Sequence, residues 1–127
     1  MEHQISKQKI LVADDEPNVR QLVSRLLAED YIIIGASDGE EAVNTAFEQQ
    51  PSLILMDIMM PNVDGYTACH AIKSNPATRA IPVVMLTGVG HELNKKLSQQ
   101  FGADAYVTKP FGLQELKDII ARLLPAS

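Results

Sequence analysis

The sequence predicts one α/β domain, a parallel sheet with helices on both faces, and three observations predict it. Five short apolar runs, at 10–13, 32–36, 53–56, 83–86 and 105–107, recur along the chain, each followed by a longer segment with helical spacing. The runs are apolar nearly throughout instead of alternating, as in strands covered on both sides. Five such units, joined by right-handed crossovers, use up all 127 residues, which is the length of a single domain and leaves no linker or low-complexity tract.

Each element can be justified in order. After the first run, Pro17 sits where a first helical turn tolerates proline, and Val19, Leu22, Val23, Leu26 and Leu27 follow at helical spacing. The second helix opens at Ser37-Asp38-Gly39-Glu40, where a Glu three residues after a Ser reads as a capping box. It is expected to bury Ala42, Val43, Ala46 and Phe47 and to end before Pro51. The third starts with Asp64 as N-cap, contains His70, and ends near Ser74-Asn75-Pro76, because proline disfavours helix in the residue before it. The fourth, between His91 and Gln100, is thinly anchored by Leu93 and Leu97, with Phe101 beyond it and Gly102 as C-cap. The fifth carries Leu113, Leu116, Ile120, Leu123 and Leu124 on one face and leaves Ile119 off that stripe, expected at the surface.

Composition narrows the function classes. Sixteen Asp and Glu against eleven Lys and Arg give a net charge of -5, which argues against direct nucleic-acid binding, since that rests on clustered cations. Cys69 is the one cysteine, so an intrachain disulfide or a multi-cysteine metal site is excluded, and it reads as a small buried hydrophobe in a reducing compartment. The apolar runs fall far short of the ~20 residues needed to cross a bilayer. The polar start, 1–9, lacks the apolar stretch of a secretory signal, so a cytoplasmic protein is expected, with no membrane partner.

In an open parallel α/β sheet, ligands bind outside the carboxyl ends of the strands, so the residues just after each run carry the chemistry. Asp14 and Asp15 follow the first run, Asp57 the third, Thr87 the fourth and Lys109 the fifth. Three carboxylates on one edge repel one another, and some would hold a proton unless a cation compensated. Mg²⁺, with its preference for oxygen ligands and phosphate, suits Asp14, Asp15 and Asp57. His3, His70 and His91 have no ligand-like spacing and read as surface residues. With the charge neutralised, a carboxylate can act as nucleophile toward phosphorus, and Asp57 is the best placed, with Lys109 and the Thr87 hydroxyl to stabilise the phosphoryl oxygens. Singly, each residue has an ordinary reading: an Asp pair capping a helix, a Thr forming a strand, a solvated Lys before a turn. Their coincidence at the strand ends of one topology favours a site.

These residues lie in Ile10-Leu11-Val12-Ala13-Asp14-Asp15-Glu16-Pro17, Leu55-Met56-Asp57-Ile58-Met59-Met60-Pro61, Asp64-Gly65, Leu86-Thr87-Gly88, Gly102-Ala103-Asp104-Ala105-Tyr106 and Thr108-Lys109-Pro110-Phe111. Over about residues 9–124, with tails at 1–8 and 125–127, the sequence resembles the receiver domain of two-component response regulators. The resemblance implies a flavodoxin-like (βα)5 sandwich with strand order 2-1-3-4-5. It implies Asp57 as phosphoacceptor, and Mg²⁺ held directly by Asp15, Asp57 and the main-chain carbonyl of Met59, with Asp14 acting through water. It further implies that Lys109 pairs with the phosphoryl group, that the Lys109–Pro110 peptide is cis, and that Thr87 moves toward a new phosphate. Tyr106 then turns inward and reshapes the surface of the fourth helix, fifth strand and fifth helix. The implied partners are a histidine kinase or phosphotransfer protein upstream, and downstream a protein target or an output domain missing from this sequence. A phosphorylation-linked homodimer stays open.

Two neighbouring chemistries fail on specific residues. A flavin cofactor's phosphate would be repelled by Asp14-Asp15-Glu16. A phosphatase of the haloacid dehalogenase type places a second Asp two residues after the nucleophile, where this chain has Met59. The expected role is therefore a switch that stores one phosphoryl group, not a multiple-turnover enzyme. Gly88 stands where Ala or Ser is more frequent, and Met59 and Val89 are both apolar. Neither of those two side chains can orient an attacking water, so slow self-dephosphorylation is expected. The alternative is a phosphorylation-independent docking module that keeps the same residues. Only Pro125-Ala126-Ser127 follow Leu124, so the sequence is expected to be a stand-alone receiver or a piece of a longer regulator.

Overall fold

The computed structural model describes residues 7–88, 96–97 and 99–124. Five parallel strands form one sheet in the order β2-β1-β3-β4-β5. They are β1 (Lys9–Ala13), β2 (Ile32–Ala36), β3 (Leu53–Asp57), β4 (Val83–Thr87) and β5 (Ala105–Thr108). The helices described are α1 (Pro17–Leu27), α2 (Gly39–Gln49), α3 (Gly65–Ser74) and α4 (Leu113–Leu123), the last being the fifth predicted from sequence. The predicted fourth helix lies largely outside the described residues, although Lys96, Leu97, Gln99 and Gln100 are helical.

The uniform apolarity of the strand runs follows from two separate cores. Leu11, Ala13, Ile54, Met56, Val83 and Met85 point to one face and meet Ala42 and Ala46 of α2 and Ala68, Cys69 and Ile72 of α3. Ile10, Val12, Leu53, Leu55, Val84 and Leu86 point to the other and meet Val23 and Leu27 of α1 and Leu116 and Ile120 of α4. Each fully buried Leu or Ile contributes about 1.5–3 kcal/mol, so a polar residue inside these runs would be costly. The edge strand β2 is the exception, with Ile32 and Gly35 exposed.

Five expectations need correction. The cap of α2 is Asp38, one residue later than expected. Its carboxylate accepts from Glu41 N at 2.8 Å while Glu41 Oε1 accepts from Ser37 N at 2.7 Å, so Glu41 and not Glu40 reaches back, and it does so to the residue before the cap. Phe47 is 54% exposed, because it lies about 100° round the helix from Ala46, which marks the buried line. Leu113 is exposed at the first turn of α4, and Ile119 is half-buried against the second core, the reverse of what the stripe suggested. Leu22 of the α1 stripe is also exposed.

Other signals were sound. Asp64 caps α3 by accepting from Thr67 N at 2.8 Å. Gly102 has φ 92° and donates its N–H to Gln99 O at 3.1 Å, the left-handed turn that ends a helix.

Candidate phosphoacceptor site

The parallel register brings the predicted residues to one edge. Ala13 pairs with Met56, so Asp14 emerges beside Asp57. Asp57 pairs with Leu86, and Thr87 with Thr108, so Thr87 and Lys109 close the row. Lys109 N donates to Thr87 O at 2.6 Å, and the Lys109–Pro110 peptide is cis, as the resemblance implied. Gly65 lets α3 start close under this row. A Cβ there would stand 2.1 Å from the Asp57 carbonyl oxygen, and its N–H donates to Ile58 O at 2.8 Å.

The Lys109 ammonium bridges two carboxylates, donating to Asp14 Oδ2 at 2.9 Å and to Asp57 Oδ1 at 3.1 Å. Asp14 is fully buried, and its second oxygen accepts from Glu16 N at 3.0 Å. Asp57 and Thr87 are also buried, and Asp15 is exposed at the rim. One lysine thus faces three aspartates. Burial, then the Asp14 charge, push the Asp57 carboxyl up to about 6 against the opposing pull of Lys109, with Asp15 adding a smaller push. Burial lowers the Lys109 ammonium, but its bonds to Asp14 and Asp57 outweigh that and hold it above its ordinary range.

An ionised carboxylate held against its own neighbours is matched to a further cation, and every donor here is oxygen, which suits a hard divalent ion such as Mg²⁺. Asp14, Asp15 and Glu16 present oxygens within 4.8 Å of one another. Glu16 was not among the expected ligands. Its position directly after the Asp pair was the available signal, but it read only as part of an acidic run that repels a cofactor phosphate and as the lead into Pro17. Met59 follows two residues after Asp57 with its side chain 79% exposed beside the rim. Tyr106 is half-buried against the first core, opposite Met85 in the β4–β5 register and therefore two residues below Thr87. Of the expected site residues, all lie along this edge except Tyr106, which sits one layer below it. Val89 lies outside the described residues.

A doubly wound parallel sheet ending in a buried aspartate, a lysine-bridged acidic corner and a strand-terminal threonine defines a phosphoacceptor class of α/β domain. The chain belongs to the response regulator receiver domain family, whose model matches residues 10–121. It is 39% identical over 117 residues to the DNA-binding dual master transcriptional regulator RpaA of Synechocystis, covering 91% of this chain and 48% of that protein. It is 40% identical over 114 residues to the transcriptional regulatory protein ResD of Bacillus subtilis, covering 89% and 46%. The chain spans about half the length of the curated relatives it matches. Among solved structures, a response regulator from Chloroflexus aurantiacus superposes with TM-score 0.90 at 30% identity, covering 95% of this chain and all of that one. The receiver domain of a sensor histidine kinase from Pseudomonas aeruginosa, described with a magnesium ion coordinated in its active-site cleft, superposes with TM-score 0.88 at 30% identity, with coverages of 95% and 100%.

Proposed function

We propose that this receiver, spanning residues 9–124, takes one phosphoryl group onto Asp57 from a phosphohistidine of a histidine kinase or phosphotransfer protein, and signals by the surface change that follows. The observation that carries the reading is the Lys109 ammonium set between Asp14 and Asp57 at the carboxyl edge of the sheet. An Asp57 oxygen attacks phosphorus, the O–P bond forms, and the N–P bond to the donor imidazole breaks with its electron pair left on nitrogen. Lys109 follows its charge partner and pairs with the phosphoryl oxygens. Thr87, at the end of the neighbouring strand, donates its hydroxyl to them. Mg²⁺ bound by Asp15, Asp57 and the Met59 carbonyl, with Asp14 reaching it through water, would supply charge neutralisation for the incoming phosphoryl group. The magnesium ion described in the active-site cleft of the Pseudomonas receiver supports a Mg²⁺ site at this edge.

The new phosphate draws Thr87 toward it, and Tyr106, in the adjacent strand, moves into the space released. The face formed by the predicted fourth helix, β5 and α4 then presents a different surface to a downstream protein or to an output domain. DNA contact belongs in this reading to such an output domain and not to this acidic receiver. No described helix is long and apolar enough to cross a membrane, and the reading carries with it a cytoplasmic location, where kinase domains are reached. Phosphoryl storage without turnover follows from Met59 standing where a general acid would be needed.

The test is intact mass after incubation with acetyl phosphate, with and without Mg²⁺, on wild type and Asp57→Asn. A gain of one phosphoryl group that needs Mg²⁺ and is lost in the variant is expected. If neither acetyl phosphate nor a phosphorylated kinase delivers such a group, and signalling survives Asp57→Asn, the chain is a phosphorylation-independent docking module. For the lifetime, Met59→Asn with Val89→Glu is expected to speed loss of the phosphoryl group, and an unaltered decay rate would sink that explanation.

A further inference from the structure

We propose that Arg20 is a positioning residue for the phosphoacceptor site, reaching over Gly35 of β2 to hold the main-chain carbonyl of Asp14 and so aim the Asp14-Asp15 corner. The inference rests on the reading of that corner as the metal-binding part of the site.

Beyond Ala13 the chain leaves the sheet and must turn within three residues into α1. Asp14 is fully buried at that turn, so each of its polar atoms needs a partner. Its N–H donates to Ala36 O of β2 at 3.0 Å, the last ladder bond on that side. Its carboxylate oxygens accept from Glu16 N at 3.0 Å and Lys109 Nζ at 2.9 Å. The carbonyl that remains accepts from Arg20 Nη1 at 2.6 Å, a short charge-assisted bond. The plane of the Asp14–Asp15 peptide, and with it the direction in which Asp15 leaves the sheet, is thus set by a guanidinium from the first turns of α1. Arg20 N also donates to Glu16 O at 3.3 Å, which ties the same helix end to the other side of the corner.

The edge strand makes room for this reach. Gly35 is exposed and has no side chain, and a Cβ built on it would stand 3.3 Å from Arg20 Cδ and 3.7 Å from Nε. Glycine weakens a strand and often marks a place where another group approaches closely, and the Arg20 stem is the group that does so here. Groups that hold metal ligands from behind change metal affinity when removed, typically by about 10–100-fold. Arg20 fits that role toward Asp14 and Asp15 without touching the phosphoryl site itself.

Three variants separate positioning from mere packing. Arg20→Met keeps the apolar stem and removes the donors, Arg20→Lys restores one donor, and Gly35→Ala crowds the stem from the β2 side. The primary readout is the Mg²⁺ dissociation constant of the unphosphorylated protein, titrated with MgCl₂ alone and followed by backbone amide shifts. The second is the Mg²⁺ dependence of the acetyl phosphate reaction. Arg20→Met is expected to weaken Mg²⁺ binding about tenfold, Gly35→Ala to weaken it in the same direction by less, and Arg20→Lys to recover part of the loss. The phosphorylation rate at saturating Mg²⁺ should fall less than the rate at low Mg²⁺. A folded Arg20→Met protein that melts earlier but binds Mg²⁺ as wild type does would reduce Arg20 to a structural bond and overturn the proposal. Should Arg20→Met fail to fold, Gly35→Val takes its place, because its branched side chain fills the path of the Arg20 stem beyond what a shift of a few tenths of an ångström relieves, and unchanged Mg²⁺ affinity there overturns the proposal equally. A wild-type protein that neither binds Mg²⁺ nor accepts a phosphoryl group overturns the reading of the site instead. Normal phosphorylation with an Arg20-independent Mg²⁺ affinity overturns only the role of Arg20.

Discussion

Two lysines, one at each end of the sheet, are similarly shielded and do opposite things. Lys73 at the end of α3 is 17% exposed and lies 2.7 Å from Asp104 Oδ2. It also donates to Ile81 O at 2.6 Å and Arg79 O at 3.3 Å. The same Asp104 oxygen accepts from Val83 N at 2.8 Å, so the group pins the start of β4 to the approach to β5. One cation meets one carboxylate, with main-chain partners completing the set. Lys109 at the carboxyl end is 21% exposed and is shared by Asp14 and Asp57, with Asp15 adding to the negative field. Here the charges do not close. The balanced pair is a clip that holds two segments together, whereas the unbalanced group leaves Asp57 partly protonated near neutrality and ready to pair with something else.

Removing each lysine is the strongest way to break that comparison. Lys109→Met leaves Asp14 buried without its cation, and stripping one partner from a buried pair costs about 3 kcal/mol at pH 7. It should also abolish most phosphoryl transfer, since the phosphoryl oxygens lose their fixed cation. Lys73→Met leaves Asp104, 38% exposed, to water, and should cost about 1 kcal/mol with phosphorylation within about twofold of wild type. Urea unfolding in chelator and acetyl phosphate labelling measure the two effects. Equal destabilisation by the two changes would mean that charge balance does not distinguish the ends.

How much of this contrast could be read beforehand depends on whether a local rule suffices. The five strands and the site edge were legible because buried parallel strands are apolar throughout and because Asp14, Asp57, Thr87 and Lys109 each sit at, or one residue past, the carboxyl end of one. The Asp64 cap and the Gly102 turn were legible for the same reason, being rules about neighbours in sequence. Lys73–Asp104 was not, because its members are far apart in sequence and neither lies in a patterned position. Arg20 was not, since an arginine on an amphipathic helix reads as a solvated face until β2 is laid beside it. Phe47 and Ile119 were misplaced because apolar residues at helical spacing outline a broad stripe, and which line within it meets the sheet, Ala42 and Ala46 on α2 and Leu116 and Ile120 on α4, is set by the packing.

A smaller effect comes from pH. Burial and the Asp14 charge raise the Asp57 carboxyl from its ordinary 3.8 to about 6, so between those values the folded chain holds a proton that the unfolded chain has released. Stability is therefore gained on acidifying through this window and lost as pH rises through it. Two pH units set an upper limit of about 3 kcal/mol, and about 2 kcal/mol is expected after solvent relaxation. The raised Lys109 does not enter, since its titration lies above the window and its contribution is lost only at alkaline pH. In chelator, Asp57→Asn should be more stable than wild type at pH 7 and should lose that advantage near pH 4. Mg²⁺ at ten times its dissociation constant should return about 1.4 kcal/mol to wild type at pH 7. A difference between the two proteins that does not vary with pH would mean that Asp57 is not the strained member of the group.

The smallest effect sharpens the amino-end half of the comparison. Cys69 is buried on α3, with Sγ 3.5 Å from Phe101 O, beneath the segment that the Lys73–Asp104 clip ties down. Burial foremost, with Asp104 opposing Lys73, pushes its thiol up to about 11. At pH 8 its thiolate fraction is on the order of a hundredfold below that of an ordinary thiol, and labelling by a disulfide reagent should be correspondingly slow. Lys73→Met removes a nearby positive charge, which by itself disfavours the thiolate further. Faster labelling in that variant, by a few-fold, would therefore report local opening of the 101–104 segment and not an easier ionisation. Asp57→Asn is the control from the other end. It should leave the rate unchanged if the thiol is reached by local opening, whereas labelling that slows as that variant gains stability would show that only global unfolding exposes Cys69 and that the two ends open together.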